Sequence, residues 1–294
     1  MPRYPSLNRP LEAAELRGLL EGCRTAILGL DQVDESVLSL PELELVVRFG
    51  SGVDNVDLRA AAEHGVRVAN TPGANAPSVA ELALGLMFVL GRGLTRMDRA
   101  SRQGPWLRPT GFELGGRRLG LVGLGAVGAL VAAKAEALGM EVVAYDPVAP
   151  PGRVRRVGLA ELLETSQVVS IHCPLTAQTD GLIGHDELRS MPAGAVLVNT
   201  ARERIVDEAA LVRVLQDGHL AGAALDCLDQ GSPEAESLAQ LEQVVLTPHA
   251  GASTTDAIVR TGVAAVEEVL RYYDNQPLLN PVTYRPNDAG EMTA

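Results

Sequence analysis

The 294-residue sequence has few aromatic residues, few cysteines and no long hydrophobic run. Phe, Trp and Tyr make up 3% of the chain, which leaves few side chains on which nucleic-acid bases could stack. The three cysteines, Cys23, Cys173 and Cys227, are too widely spaced for a disulfide framework or a zinc knuckle. Because no His or Cys spacing suits a metal, we expect no metal site.

Membrane-spanning and secretion signals are also missing from the sequence. The most apolar stretch, 79–90, is twelve residues long and contains Glu81, whereas a transmembrane helix needs about 20 apolar residues. The first ten residues lack the apolar segment of a signal peptide. We therefore expect a cytoplasmic protein with no membrane partner.

The charge balance is acidic, since 37 Asp and Glu residues outnumber 25 Lys and Arg residues and give a formal net charge of −12. An acidic surface repels phosphate backbones, so nucleic acid is not an expected partner. With 46% hydrophobic and 21% charged residues, the composition is that of a globular protein.

Short apolar runs rich in β-branched residues alternate with helical segments along the chain, most clearly after Arg118. Strands that are apolar throughout are typical of a parallel sheet covered on both faces. The sequence therefore predicts an α/β fold with a doubly wound parallel sheet. In one of its helices, we expect Asp207 to be the N-cap and Gly218 to follow the C-terminus.

Two helical segments indicate how the chain is organised. Ser78–Leu94 is apolar on nearly all sides, which is typical of a helix that is buried or lies in a subunit interface. The last long helix, Thr254–Tyr273, follows the final strand and is expected to pack on the N-terminal portion. We predict a central domain at 75–251 and a smaller domain built from 1–74 and 252–294.

A glycine-rich turn follows the strand at 119–122 and leads directly into a helix. Its key residues are Gly123, Gly125, Ala126, Val127 and Gly128. The spacing is that of a dinucleotide-binding turn, in which the glycines permit a tight turn, close approach of pyrophosphate and close helix–strand packing. The N–H groups at the start of the helix are suited to bind phosphate.

An acidic residue, Asp146, ends the next strand, eighteen residues after Gly128. A carboxylate at this position accepts hydrogen bonds from the adenosine ribose and repels a 2′-phosphate, which predicts NAD rather than NADP as the cofactor. The alternative is a glycine-rich turn that binds nothing, and the complete strand–turn–helix context disfavours it.

Further motifs occur in an order that resembles the D-isomer-specific 2-hydroxyacid dehydrogenases, the family that includes phosphoglycerate dehydrogenase. In addition to the glycine-rich turn they are Gly50–Asn55, Asn70–Gly73, Ser78–Leu82, His172–Thr176, Val198–Arg202, Ala224–Asp226 and Thr247–Gly251. The resemblance implies a Rossmann-type NAD-binding domain and a smaller flavodoxin-like substrate domain that close over a cleft. It also implies hydride transfer between NAD(H) and C2 of a small 2-hydroxy or 2-keto acid, and a homodimer formed through the region Val79–Leu94.

The same resemblance implies roles for individual residues. His249 corresponds to the acid/base, and Arg202 to the residue that holds the substrate carboxylate and polarises the carbonyl. The remaining substrate-binding residues are expected to be Ser51, Gly52 and Asn75. Further cofactor-binding residues are expected to be Cys173, Pro174, Thr179, Thr200, Ala201, Asp226 (against the nicotinamide carboxamide) and Gly251.

His249 also stands out among the five histidines by its position. It lies in a loop after a predicted strand, at the sheet edge where ligands bind in open α/β folds. His64 and His219 adjoin glycines near helix ends, His185 opens a short helix, and His172 is expected to be structural. An imidazole suits proton transfer near neutral pH, and a guanidinium suits a carboxylate.

The chain departs from the family pattern in the expected catalytic region. The glutamate that pairs with the catalytic histidine is expected five residues after Asp226, where this chain has Gly231. Asp229 and Glu234 are the candidates to replace it. The family's Arg-Gly pair is here Arg202-Glu203, followed by a second arginine, which could change substrate choice or disable substrate binding.

A further departure lies at the N-terminus. The resemblance implies a substrate domain that begins with a βαβ unit, and we expect this unit to be missing here because no strand, helix and strand are found before Leu11. An exposed sheet edge is therefore predicted, covered by residues 1–10 or by a partner.

Two other functions stay open on the sequence alone. The missing glutamate and Arg202-Glu203 favour a catalytically weak NAD-binding regulatory or scaffold protein of the same fold. An enzyme that oxidises a different anion, such as phosphite, is the other alternative. Retention of both Arg202 and His249 favours the dehydrogenase, because a pure scaffold needs neither residue.

Overall fold

The computed structural model describes residues 9–150, 152–229 and 231–284. Its helices are α1 (Ala13–Leu20), α2 (Glu35–Leu38), α3 (Leu58–Glu63), α4 (Ala76–Arg92), α5 (Leu94–Gln103), α6 (Ala126–Ala137), α7 (Leu159–Thr165), α8 (His185–Ser190), α9 (Glu208–Gln216), α10 (Pro233–Gln240) and α11 (Thr255–Tyr273). Its strands are β1 (Thr25–Leu28), β2 (Leu45–Arg48), β3 (Arg67–Ala69), β4 (Arg118–Val122), β5 (Glu141–Tyr145), β6 (Arg155–Arg156), β7 (Val168–Ile171), β8 (Val196–Asn199), β9 (Gly222–Leu225), β10 (Val244–Leu246) and β11 (Pro281–Val282). The chain divides into two units, of which the first combines the residues up to Asn75 with those from Thr254 onward, and the second is Ala76–Ser253.

The second unit contains a seven-stranded, entirely parallel sheet in the order β10-β9-β8-β7-β4-β5-β6. On one face, α4 and α6 pack against the sheet through a cluster that includes Met87, Val131 and Leu119. On the other face, α7 to α10 contribute to a second cluster that includes Leu162 and Leu211. Two covered faces explain why the strands are apolar throughout, and the predicted doubly wound α/β fold is confirmed.

The first unit contains a smaller sheet in the order β1-β2-β3-β11. The first three strands are parallel, and β11 runs antiparallel to β3. Helices α1 to α3 cover one face through a cluster that includes Leu16, Leu38 and Val46, and α11 packs on the other face through Ala265 and Tyr272. In the described part of the chain no strand precedes β1, which forms a sheet edge. The predicted cover of this edge by residues 1–10 falls mostly outside the described residues.

The segment predicted as one apolar helix, Ser78–Leu94, consists of parts of two helices. The break lies at Gly93, whose φ of +61° is in the left-handed region, and α4 and α5 are bent by 60° there. Leu94 therefore belongs to α5, which corrects the predicted helix end. Among the described residues no single helix is long and apolar enough to cross a membrane. Only the bent pair of α4 and α5, taken together, reaches the length and composition of a membrane span.

The predicted caps of α9 are confirmed. The Asp207 side chain accepts a hydrogen bond from Ala210 N at 2.9 Å. Gly218 follows the C-cap residue with a φ of +76°. These caps fix the bounds of the helix that carries Glu208 at its first position.

A buried carboxylate ties α11 to the segment before β11. Glu268 is fully buried, and its carboxylate accepts hydrogen bonds from Leu279 N at 3.0 Å and from Asn280 N at 2.8 Å. The Asn280 side-chain amide donates a third, at 2.9 Å. A buried charge costs free energy unless hydrogen bonds compensate for it, and here three donors do so.

We expect Glu268→Ala to lower the free energy of unfolding by about 3 kcal/mol, because it leaves buried donors without an acceptor. Glu164→Ala, at an exposed position in α7, is the matched control and should change it by less than about 0.5 kcal/mol. Denaturant unfolding followed by circular dichroism measures both. Equal effects of the two substitutions would contradict this account of Glu268.

Candidate active site

The predicted cofactor and catalytic residues of the second unit lie in loops that follow its parallel strands. The turn after β4 and the first residues of α6 carry the glycines. The loops after β5, β7, β8, β9 and β10 carry Asp146, Cys173, Thr200, Asp226 and His249. Carboxyl ends of parallel strands meet at one edge of a sheet, so one edge gathers this whole set. In the sequence, the first and last members of this set are more than 120 residues apart.

The glycine-rich turn is close to its neighbours where the motif requires glycine. A Cβ atom on Gly123 would lie 2.5 Å from Cys173 N, and one on Gly128 would collide with the Gly123 carbonyl oxygen. Gly125 is the N-cap of α6, and a Cβ there would meet no atom within 4 Å. Space in front of a helix N-terminus suits a pyrophosphate group, so this turn can hold a dinucleotide.

Asp146 lies directly after β5 and holds two loops. Its Oδ2 accepts a hydrogen bond from Leu124 N, inside the glycine-rich turn, at 2.7 Å. Its Oδ1 accepts from Val148 N at 3.0 Å and from Ala149 N at 2.9 Å. Asp146 is therefore a structural support of the turn as well as the predicted ribose-binding residue.

The loop after β7 is organised by hydroxyl groups. The Thr179 hydroxyl donates to Pro174 O at 2.6 Å and accepts from Thr176 N at 2.7 Å. His172 lies 2.9 Å from the Ser170 hydroxyl through Nε2 and 3.3 Å from the Thr200 hydroxyl through Nδ1.

Burial governs the ionisation of the two residues that begin this loop. It lowers the pKa of His172 to about 4, so the ring is neutral near pH 7. Burial raises the pKa of the Cys173 thiol to about 12. Neither residue is suited to proton transfer near neutral pH, which agrees with the structural role expected for His172.

Arg202 follows β8 and is positioned by a residue that sequence reasoning missed. The side chain of Asn199, which is buried, donates to Arg202 O at 2.8 Å and accepts from Ala201 N at 3.0 Å. The partly buried Arg202 donates through Nη1 to Ala201 O at 2.7 Å. Asn199 lies in the motif Val198–Arg202, but only its burial and its backbone partners reveal this role.

The carboxylate of Asp226 organises the loop that carries His249. Asp226 is 3% exposed, and its Oδ1 accepts from the Thr247 hydroxyl at 2.6 Å and from Ala250 N at 2.7 Å. Its Oδ2 accepts from Gly251 N at 2.8 Å. Three hydrogen bonds from one pentapeptide leave little capacity on the carboxylate for a nicotinamide carboxamide, the partner that the resemblance implies.

His249 itself has an exceptional backbone conformation. Its φ is +51°, one of two positive values among the described residues other than glycine. Its N–H donates to Thr247 O at 3.0 Å, and the residue is exposed. Such strain persists only where surrounding contacts impose it and is concentrated at functional sites.

Gly231 occupies the position where the family pattern predicts a glutamate. It lies in a loop that is held by Glu208 of α9. Its φ is +97°, a conformation that a glutamate rarely adopts. Glu208 reaches this loop from α9 and accepts from Asp229 N at 3.2 Å and from the Ser232 hydroxyl at 3.4 Å. Burial raises the pKa of Glu208. Glu234 is the second residue of α10, shortly after this loop.

The predicted substrate-binding residues belong to the first unit, where hydrogen bonds join them. The Ser51 hydroxyl lies 3.4 Å from Asn75 Oδ1 and accepts from Gly73 N at 3.3 Å. The side chain of Asn70, which is buried, donates to Ser51 O at 2.7 Å. Ser51 and Asn75 thus share one network, and Gly52 directly follows Ser51 in the chain. Across both units, the described residues include no group of three or more His, Cys, Asp or Glu side chains that could hold a metal ion.

Comparison with known proteins defines the family. The sequence profile described as "D-isomer specific 2-hydroxyacid dehydrogenase, NAD binding domain" matches residues 84–251. A D-3-phosphoglycerate dehydrogenase from Archaeoglobus fulgidus is 39% identical over 260 residues, which are 85% of this chain and 49% of that protein. A hydroxypyruvate reductase from Thermotoga maritima is 41% identical over 236 residues, 78% of this chain and 77% of that protein.

Solved structures agree with this relationship. The crystal structure of D-lactate dehydrogenase from Aquifex aeolicus, complexed with NAD and lactic acid, superimposes with a TM-score of 0.83 and 26% identity. The alignment covers 90% of this chain and 87% of that one. A nucleotide-binding α/β protein is the class that the fold and the glycine-rich turn define.

The chain belongs to the D-isomer-specific 2-hydroxyacid dehydrogenases, as the sequence motifs indicated. The predicted cofactor, NAD, is confirmed by the match to the family's NAD-binding domain. The chain spans about half the length of the archaeal phosphoglycerate dehydrogenase that it matches.

Replacing the Asp146 carboxylate should reduce the preference for NADH over NADPH about tenfold or more, because Asp146→Asn removes the charge that repels a 2′-phosphate. Asp146→Ala should also weaken NADH binding, because the turn loses the support at Leu124 N. Fluorescence titrations with both nucleotides measure these effects. Asp186→Asn, at a side chain that is 97% exposed, is the control; an unchanged preference in Asp146→Asn would refute the assignment.

The lowered pKa of His172 makes folding sensitive to acid. The unfolded chain binds a proton at this histidine at higher pH than the folded chain, so stability is lost as the pH falls from about 6.5 to about 4. The slope is at most about 1.4 kcal/mol per pH unit. Denaturant unfolding at pH 7.5 and pH 5 should show a smaller acid loss in His172→Gln. The same substitution at the exposed His185 should leave the loss unchanged.

Proposed function

We propose that the chain is an NAD-dependent oxidoreductase that transfers a hydride between NAD(H) and C2 of a small 2-hydroxy or 2-keto acid. The observation that carries this proposal is the loop built on Asp226, which holds His249 in a left-handed backbone conformation at the carboxyl edge of the sheet. Maintaining that strain in a scaffold would have no benefit, whereas an acid/base must be held in one orientation.

His249 is assigned the proton transfer. In the reducing direction its imidazolium donates a proton to the oxygen that develops negative charge at C2, and in the oxidising direction its neutral ring accepts the hydroxyl proton. We assign to Arg202 the binding of the substrate carboxylate. Its guanidinium binds this carboxylate in a bidentate manner and polarises the adjacent carbonyl. The Asn199 side chain holds the backbone of Ala201 and Arg202 in place through two hydrogen bonds.

The cofactor-binding residues are assigned by their places in the loops. The N–H groups at the start of α6 and the glycine-rich turn (Gly123, Gly125, Ala126, Val127 and Gly128) would bind the pyrophosphate, and Asp146 the adenosine ribose. When bound, NAD(H) supplies or accepts the hydride at C4 of its nicotinamide. The other residues assigned to this cleft are Cys173, Pro174, Thr179, Thr200, Ala201, Asp226 and Gly251. Asp226 acts mainly by fixing the loop at 247–251.

The remaining assignments concern the whole protein. Residues 75–251 would form the NAD-binding domain, and 1–74 with 252–294 the substrate domain, where Ser51, Gly52 and Asn75 bind the carboxylate end of the substrate. A homodimer through the region Val79–Leu94 is consistent with Phe88 and Leu94, which are 42% and 43% exposed. The substrate would be a small 2-keto or 2-hydroxy acid, and the location cytoplasmic.

Turnover of NADH with a panel of 2-keto acids, measured across pH, tests the proposal. Wild type should turn over at least one of them, and His249→Gln should lower kcat by about 10²–10⁴-fold. NADH binding, titrated in parallel, should change little in this variant. His185→Gln, at an exposed histidine, is the matched control and should retain wild-type turnover.

The same measurements separate the alternatives. Tight NADH binding without turnover of any keto acid would favour the regulatory or scaffold protein suggested by Gly231. If NAD is reduced with phosphite but not with 2-hydroxy acids, the chain is an enzyme that oxidises this different anion. Full turnover in His249→Gln would assign the acid/base to another residue.

A further inference from the structure

Helix α11 has two apolar faces, and among the described residues only one of them packs on the sheet. At the C-terminal end of the other face, the Tyr273 ring also contacts Arg24. The buried face packs on the smaller sheet and consists of Ala257, Thr261, Ala265, Glu268 and Tyr272. The opposite face carries large apolar side chains that are 48–65% exposed: Val259, Val263, Val266, Leu270 and Tyr273. At 3.6 residues per turn these five positions lie on one side of the helix, about 160° from the buried side.

Their spacing is that of a coiled-coil seam. The five outer residues follow one another at intervals of four, three, four and three, which is the a/d pattern of the heptad repeat. A sheet-covering helix needs only one apolar stripe. A second stripe with heptad spacing, on a helix of 19 residues, is suited to receive another helix.

The charges beside this stripe indicate which helix it receives. Arg260 and Glu267 directly follow Val259 and Val266, so both occupy the flanking position next to the seam. When two copies of α11 cross antiparallel, equivalent flanking positions of the two helices face each other. Arg260 then faces Glu267 of the partner subunit, and Glu267 faces the partner's Arg260. The surface is therefore self-complementary in charge.

We propose that the outer face of α11 is a homotypic interface, in which α11 of a second copy of this chain packs antiparallel on it. In this register Val263 packs against the partner's Val266, and Val259 against the partner's Leu270. The two-fold axis passes between Val263 and Val266, and each apolar layer occurs twice. The interface is separate from the one proposed for the region Val79–Leu94.

Two features disfavour a lipid surface as the occupant. The charges in line with the stripe and beside it have both signs, with Asp256, Glu267 and Asp274 as well as Arg260 and Arg271. Interfacial membrane helices, in contrast, are rich in Lys and Arg. The chain as a whole carries a net charge of −12, which repels anionic lipids.

A charge in the seam tests the interface. Sedimentation velocity over a range of concentrations should show wild type as a dimer or a larger assembly. Val266→Glu should halve the mass of the assembly, because it would bury an unpaired charge in the interface. It should raise the dissociation constant for assembly more than about a hundredfold. Leu138→Glu, which places the same charge at an exposed apolar residue of the second unit, should leave the mass unchanged.

A charge exchange tests the orientation. Glu267→Arg alone places two arginines opposite each other and should weaken assembly, and adding Arg260→Glu should restore it. Arg260 also donates through Nε to Ala74 O at 2.9 Å, so thermal unfolding of each variant shows whether a loss of assembly is only a loss of fold.

Directed cross-linking distinguishes antiparallel from parallel pairing. A mixture of Val263→Cys and Val266→Cys chains, oxidised mildly, should yield the mixed 263–266 disulfide as its main new product. Wild type, with its three native cysteines, is the control for background cross-links. Predominant 263–263 products would overturn the antiparallel arrangement.

The proposal is refuted when wild type is monomeric at every concentration, or when Val266→Glu leaves the mass unchanged. The wild-type chain can also be tested for flotation with vesicles of neutral and anionic lipid. Flotation that is lost in Val266→Glu would show that the outer face of α11 binds a membrane, and this result would also refute the proposal. A folded, fully active Val266→Glu of halved mass would support it, because catalysis and this interface are independent.

Discussion

The active-site assignment depends on one geometric constraint: parallel strands of a sheet all end at the same edge. Seven strands of the larger unit are parallel, so the loops that follow them come together at one edge although they are distant in sequence. A parallel sheet in turn requires cover on both faces, which α4 and α6 provide on one side and α7 to α10 on the other. The composition of the strands and the position of the site therefore have a common cause.

Within that frame, buried polar side chains shape the loops in detail. Asp226 folds the loop around His249, Asn199 fixes the backbone around Arg202, and Asp146 supports the glycine-rich turn. Each of these side chains accepts backbone N–H groups that would otherwise be unpaired after a strand ends. The backbone around His249 and Arg202 is thus held by hydrogen-bonded, buried neighbours, an arrangement suited to a preorganised site.

The α/β fold, the NAD-binding turn and the caps of α9 could be predicted from sequence because each depends on local pattern: apolar runs, glycine spacing and a capping side chain. What could not be predicted depends on contacts between distant residues. The two-residue strands β6 and β11 are too short to show a periodicity, and the break at Gly93 interrupts a segment that remains apolar on both sides. The three hydrogen bonds of Asp226 join residues more than 20 positions apart. The heptad spacing of the outer stripe of α11 is visible in the sequence, but only the structure shows that these side chains are exposed among the described residues.

The raised thiol pKa values of two cysteines have a consequence for their reactivity. Cys173 contacts the glycine-rich turn, and burial raises its pKa to about 12; burial also raises the pKa of Cys227. The thiolate is the form that reacts with peroxide, electrophiles and soft metal ions. Both thiols therefore stay protonated near neutral pH, so the reactive thiolate form is scarce beside the glycine-rich turn.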